Sequence, residues 1–199
     1  MKKLSIITLI TLFSVTLLSC GKDDPVPELD QEVITEVTLT FTEIDEAGNL
    51  GTSMEYVASS SEGIELGGDV QIDEINGLEA GKKYLLEISA YNGIANEDIT
   101  EEIEEEGDHH QFYFVGSAFV GDNATLMYEY DDQDEDGNPV GLEGYVTVNE
   151  TINSNTGTFN LVLRHDLNKD YEGADNPSWS DFVQAGGESD LDIDFPVTF

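Results

Sequence analysis

The sequence predicts an all-β chain, a single antiparallel β-sandwich with a short helix or loop insertions, placed behind a leader that is removed. Three observations carry that prediction. Apolar side chains alternate with polar ones over several short runs, the period that buries one face of a strand. Clusters of Gly, Asn, Asp and Pro separate those runs at the spacing of turns in a sandwich. The 199 residues are 39% hydrophobic, with 9 Phe, 8 Tyr and 1 Trp, which is enough apolar material for one core although 43 Asp and Glu face only 7 Lys and Arg. A single Cys allows no intrachain disulfide and no cysteine zinc cluster, so packing and bound ions are the available sources of stability.

The leader comes first. Met1-Lys2-Lys3 is a short basic start, and the uncharged stretch over residues 4–19 ends in Leu17-Leu18-Ser19-Cys20. It is shorter than the ~18 to 20 apolar residues that span a bilayer, and it reads as a secretory signal followed by a lipobox. Small Ser19 fits a signal peptidase, while the Cys20 thiol accepts a diacylglyceryl group and becomes the acylated N-terminus. Several acyl chains then anchor the protein to a membrane. Residues 1–19 are thus expected to be a lipoprotein signal peptide, and residues 20–31 the acylated Cys with a flexible acidic tether. Within the tether, Gly21-Lys22-Asp23-Asp24-Pro25 resembles the export signal of Bacteroidota lipoproteins. The match rests on Lys22, Asp23 and Asp24, and implies display on the outer face of the outer membrane. The same residue types also compose an ordinary linker.

The β-sandwich domain is expected over residues 32–199. Val37, Leu39 and Phe41 alternate with polar residues, and Tyr84, Leu86, Ile88 and Ala90 keep the same period. An aromatic run follows at Phe112 to Val115. Then come Leu126, Tyr128 and Tyr130; Tyr145 to Val148; and Phe159, Leu161 and Leu163. Leu191, Ile193, Phe195, Val197 and Phe199 close the chain, with Asp190, Asp192 and Asp194 assigned to the opposite face. Turns are expected at Ala47-Gly48-Asn49, Asn76-Gly77, Asp136-Gly137-Asn138-Pro139 and Asn155-Thr156-Gly157. The segment from Leu78 through Tyr84 to Asn92 resembles the tyrosine corner of fibronectin type III domains, in which the Tyr hydroxyl ties back to upstream backbone. The resemblance implies an immunoglobulin/fibronectin-like sandwich. Residues 94–106 depart from the β pattern, because Ile99 and Ile103 lie four apart and share one face of a short helix. Residues 170–187, with Trp179, read as a long loop or short helix over the sandwich.

Two constellations suit metal chemistry. The run from Asp132 to Glu143 has Asp at the first, third and fifth positions, Gly at the sixth and Glu at the twelfth, as a calcium loop does. Asp132, Asp134, Asp136, Asn138 and Glu143 are the candidate Ca²⁺ ligands. Strands rather than helices flank the run, and Pro139 occupies the usual hydrophobic position, so the expectation is a calcium loop inside a β-hairpin. An acidic hairpin turn uses the same residues. The second constellation is the carboxylate run over residues 101–106 followed by Asp108, His109 and His110. His with carboxylate suits Zn²⁺ and other first-row divalent ions. If the strand ends carrying His110 and His165 meet, those two with Glu106 make a three-ligand Zn²⁺ candidate. The competing reading is a solvated acidic face with structural histidines. His109 and His110 are adjacent and point to opposite faces of a strand, so they are not expected to share one ion.

Catalytic patterns are missing. There is no G-x-S-x-G elbow, no H-E-x-x-H and no phosphate-binding glycine loop, and Cys20 is spent on acylation. No enzyme activity and no catalytic residue are expected. Ordinary nucleic-acid binding is also excluded, because it needs Lys and Arg to neutralise phosphates.

Several blocks resemble one family in a single order across residues 32–199. They are Ile99-Thr100-Glu101-Glu102-Ile103 to His110-Gln111-Phe112, Gly137-Asn138-Pro139-Val140-Gly141-Leu142, Leu163-Arg164-His165 with Asn168-Lys169, and Gly186-Gly187-Glu188-Ser189-Asp190-Leu191. The family comprises small flavobacterial lipoproteins labelled as a type 1 periplasmic binding fold, and similar lipoproteins stand beside TonB-dependent receptors. The label implies a doubly wound α/β fold, against which the alternating strands predict β structure. The resemblance implies a TonB-dependent receptor as surface partner. His110, Arg164 and His165 fall on its motif positions, and His109 stands where relatives carry an acid. The expected protein is a surface-exposed outer-membrane lipoprotein held by Cys20, a non-enzymatic module that captures a divalent cation for a receptor. The competing expectation is a structural, adhesive or glycan-binding sandwich stabilised by Ca²⁺.

Overall fold

Alternation becomes strand over residues 32–199, the part of the chain that this computed structural model describes. The strands are β1 (Glu36–Ile44), β2 (Leu50–Ser59), β3 (Gln71–Ile72), β4 (Lys83–Asn92), β5 (Glu97–Asp98), β6 (His110–Val115), β7 (Leu126–Tyr130), β8 (Glu143–Val148), β9 (Thr156–His165) and β10 (Glu188–Thr198). One α-helix, α1 (Ile99–Glu105), lies between β5 and β6, and its buried residues are Ile99 and Ile103, the pair that marked it in the sequence. Asp98 caps it by accepting from the Thr100 amide at 3.0 Å. The expected signal peptide, acylated Cys20, Lys22-Asp23-Asp24 export signal and tether fall outside the described residues. Among the described residues no helix is long and apolar enough to cross a membrane.

The protein is mostly β, and every ladder between these strands is antiparallel. A larger sheet runs β3-β2-β1-β4-β8-β7 with β5 added to β4, and a smaller sheet runs β10-β9-β6. Both give one apolar face to a common core. Val37, Leu39 and Phe41 of β1 and Leu86 and Ile88 of β4 join Phe112, Phe114, Phe159, Leu161 and Phe195 of the smaller sheet. Phe159 sits at its centre, edge-on to Phe119, Phe114, Phe41 and Phe195 with ring centroids 4.9 to 6.3 Å away. The smaller sheet is covered on its other face too, where Tyr113, Val115 and Val162 pack against Leu167, Ala185, Trp179 and Phe182. Burial on both faces explains why β6 reads as an unbroken aromatic run. The covering segment is the 170–187 stretch, irregular except for a 3-10 turn at Phe182–Ala185. Tyr84 makes the expected backward tie, its hydroxyl accepting from the Glu79 amide at 3.0 Å.

Two local readings are corrected. β2 was not foreseen: its first half is exposed and rich in Gly, Thr and Ser, and on the side away from β1 it meets only the two-residue β3 at its far end, so no alternating apolar face advertises it. The turn expected at Asn155-Thr156-Gly157 ends at Asn155, because Thr156 and Gly157 already pair with Thr198 and Val197.

Since Phe159 is fully buried and surrounded by rings, Phe159→Ala should lower stability by roughly 3–5 kcal/mol. Urea unfolding of the two proteins measures this; a loss below about 1 kcal/mol would mean that Phe159 is not the centre of the core.

Candidate metal centre

Strand register builds the site. His110 opens β6 and His165 closes β9, and the two are directly paired. Opposed residues of an antiparallel pair share a face, so the imidazoles stack with centroids 4.5 Å apart and planes 27° apart. The end of α1 approaches from one side: the Glu106 carbonyl accepts from His110 Nδ1 at 3.1 Å. A carbonyl can only accept, so Nδ1 carries the hydrogen and Nε2 is the free coordinating atom.

Two carboxylates complete the cluster. Glu32, just before β1, places Oε1 3.1 Å from His110 Nε2. Asp190 places Oδ2 3.3 Å from His165 Nδ1 and 3.9 Å from His110 Nε2. One ligand atom from each of Glu32, His110, His165 and Asp190 lies within 4.8 Å of all the others. Asp190 reaches the interior through a β-bulge: Ser189 pairs with Arg164 and Leu191 with Leu163, leaving Asp190 as the extra residue. Asp190 and Leu191 are consequently both buried, which corrects the assignment of Asp190 to one face with the exposed Asp192 and Asp194. Arg164 holds the chain entering the bulge, donating from Nη2 to the Gly186 and Gly187 carbonyls at 2.7 and 2.6 Å. Gly187 has φ +71 and lies so close to the His165 carbonyl that a Cβ would overlap it.

The electrostatics call for protons or a cation among the carboxylates. Side-chain exposure is 0% for His110, 2% for Asp190, 7% for Glu32 and 16% for His165, so two carboxylates are withdrawn from water side by side. Glu32 Oε2 and Asp190 Oδ2 are buried and have no hydrogen-bond partner among the described residues, Asp190 Oδ2 being near His165 but out of alignment with it. Desolvation of that kind is costly unless positive charge sits among the oxygens. Burial presses His110 towards its neutral form, yet Glu32, the Glu106 carbonyl and Asp190 outweigh it and leave its pKa above the usual 6.5. Burial, reinforced by Glu32 and partly offset by His165 and His110, pushes the Asp190 carboxyl up to about 6. Two imidazole nitrogens and two carboxylate oxygens form a donor set suited to Zn²⁺ and neighbouring divalent metals. Of the zinc candidates from sequence, His110 and His165 are brought together, whereas the Glu106 side chain is exposed and that residue contributes its carbonyl instead.

The acidic loop is arranged differently. Asp132 accepts from the amides of Gly141, Leu142 and Glu143 at 2.7, 2.7 and 3.1 Å. Asp134 accepts from the amides of Asp136 and Asn138 at 3.0 and 2.8 Å. A cation is already supplied by the chain: Lys169 Nζ lies 2.5 Å from the Gly107 carbonyl, 2.9 Å from that of Pro139 and 3.1 Å from Asp134 Oδ2. Asp136 and Glu143 are exposed, and no three of the loop's carboxylates converge as the His cluster's groups do. Asp132, Asp134, Asp136, Asn138 and Glu143 thus form a braced acidic hairpin turn closed by Lys169.

No protein-family model matches the chain, and searches of curated proteins and solved structures return no match. The chemistry is read from the site itself.

Two outcomes follow from these charges. Asp190 and His110 both bind protons more tightly in the native than in the unfolded chain, so their contribution to stability is present at low pH. It is lost as pH rises, between 3.8 and about 6 for Asp190 and above 6.5 for His110. Melting temperature in chelator should therefore fall less steeply with pH in Asp190→Asn than in the native sequence; parallel curves would contradict the assignment. At the hairpin, Lys169→Met should cost about 3–5 kcal/mol by stranding Asp134, whose side chain is 2% exposed. Adding Asp134→Asn should recover part of that loss in urea melts.

Proposed function

We propose that the chain is a surface-exposed outer-membrane lipoprotein whose mature domain is a non-enzymatic binding module for a divalent transition-metal ion, Zn²⁺ foremost. The observation that carries this is the convergence of Glu32, His110, His165 and Asp190, with two buried carboxylate oxygens that have no hydrogen-bond partner among the described residues. His110 Nδ1 against the Glu106 carbonyl supports it further, since an outer-shell bond of this kind fixes the tautomer in metal sites. Four protein ligands fill a tetrahedral shell and leave no position for an activated water, which favours holding an ion over hydrolysis.

The lipobox at Cys20 and the Lys22-Asp23-Asp24 stretch support the membrane anchor and the outward-facing location. Two antiparallel sheets around one core, with the tie from Glu79 to Tyr84, support an immunoglobulin-like sandwich. The resemblance to flavobacterial lipoproteins supports a TonB-dependent receptor as the partner served by the captured ion.

Zn²⁺ at about 100 times its dissociation constant should stabilise the purified mature chain by roughly 2.7 kcal/mol over chelator. That gain should vanish in His110→Ala/His165→Ala. A response to Ca²⁺ alone, or a Zn²⁺ response that survives the double substitution, would overturn the reading.

A further inference from the structure

The four ligands are nearly sealed, and His165 is the most exposed of them at 16%. Its ring has two nitrogens with different surroundings. Nδ1 faces inward, 3.3 Å from Asp190 Oδ2, while Nε2 faces outward, 3.8 Å from Asp166 Oδ1. That same Asp166 oxygen is 2.7 Å from His109 Nδ1, and the rings of His109 and His165 stand edge-on at 6.3 Å. Exposure rises outward along this line, through Asp166 at 34% to His109 at 49%. Asp108 adds a further carboxylate 3.5 Å from His109 Nε2. The backbone fixes the pair as well: the Asp166 amide donates to the His109 carbonyl at 2.9 Å, and Asp166 takes a left-handed conformation with φ +55.

We propose that His109 and Asp166 form an outer capture site, which takes a divalent transition-metal ion from solvent and passes it to the buried cluster through His165. This rests on the metal-binding reading above and adds the route by which the ion enters. His109 Nδ1, Asp166 Oδ1 and His165 Nε2 supply nitrogen and oxygen donors of the same kind as the inner set. The incoming ion displaces the proton shared by His109 and Asp166, binds there transiently, and exchanges onto His110, Glu32 and Asp190 as His165 presents its inner nitrogen. Protons leave to solvent and no covalent bond forms. The adjacency of His109 and His110 gives the two stations their separation: His109, the last residue of the turn before β6, is exposed, and His110, the first residue of β6, is buried.

The test is the kinetics of Zn²⁺ uptake by the full mature chain and of Zn²⁺ release to a fluorescent chelator. The variants are His109→Ala, Asp166→Asn and their combination, with Asp194→Asn on the exposed face of β10 as a control for the lost charge. Asn is chosen at 166 because it tolerates the left-handed backbone. A station on the path lowers the barrier in both directions. The double variant should therefore load and release Zn²⁺ roughly tenfold more slowly, with the equilibrium affinity unchanged. His109→Ala alone should slow both rates although it removes no negative charge, and Asp194→Asn should change neither. Unchanged rates in the double variant, or slowing equal to that of Asp194→Asn, would overturn the capture site while leaving the inner site standing. A lost affinity would instead make His109 and Asp166 ligands of the resting site and would equally overturn the relay. Failure of the native chain to bind Zn²⁺ at all would remove both readings together.

Discussion

Two carboxylates taken out of water beside each other need a positive charge between them, and the smaller sheet is organised around that need. Glu32 and Asp190 meet where the pairing of β6 with β9 has already stacked two imidazoles. Asp190 arrives through a bulge, and the bulge is held by Arg164, which is nearly buried and grips the two glycines before it. Glu32 arrives as the chain enters the domain, so the same cluster fastens the first described residues to the ends of three strands. The end of α1 contributes the carbonyl that orients His110. Helix, bulge and chain entry are each explained by the site they serve.

The chain solves a similar problem twice, in different ways. At the acidic hairpin the counter-charge is covalent: Lys169 reaches two carbonyls and Asp134, and burial lowers its pKa only against the opposing pull of that carboxylate. At the His cluster Arg164 points its guanidinium towards the backbone of residues 186 and 187 and Ser189 instead of the carboxylates. There the positive charge comes from protons or from an ion. A built-in ammonium is a permanent counter-charge, whereas under the metal-binding reading proposed above the His cluster would trade its protons for an ion.

Sequence reasoning reached the parts of this arrangement that local pattern controls. Alternation located β1, β4, β7, β8, β9 and β10, spacing marked Ile99 and Ile103, and the idea that the strand ends of His110 and His165 could meet required only that β6 pair with β9. The carboxylate partners were out of reach for physical reasons. Asp190 keeps strict alternation with Asp192 and Asp194, and only a one-residue bulge turns it inward. Gly186 and Gly187, a few residues before it, were the available signal of irregular backbone. Glu32 lies outside any periodic run, and its role depends on a contact 78 positions away in sequence. At the calcium-like run, carboxylates spaced for an ion are equally spaced to accept backbone amides, and in the structure Asp132 accepts amides while the distant Lys169 lies against Asp134.

The most direct measurement is anomalous diffraction at the zinc edge from crystals of the mature chain grown with Zn²⁺. The account predicts one dominant peak, roughly 2.0–2.2 Å from His110 Nε2, His165 Nδ1 and one carboxylate oxygen each of Glu32 and Asp190. A peak at the hairpin of Asp132, Asp134 and Asp136, or a cluster that closes on its own protons with zinc bound elsewhere, would contradict it.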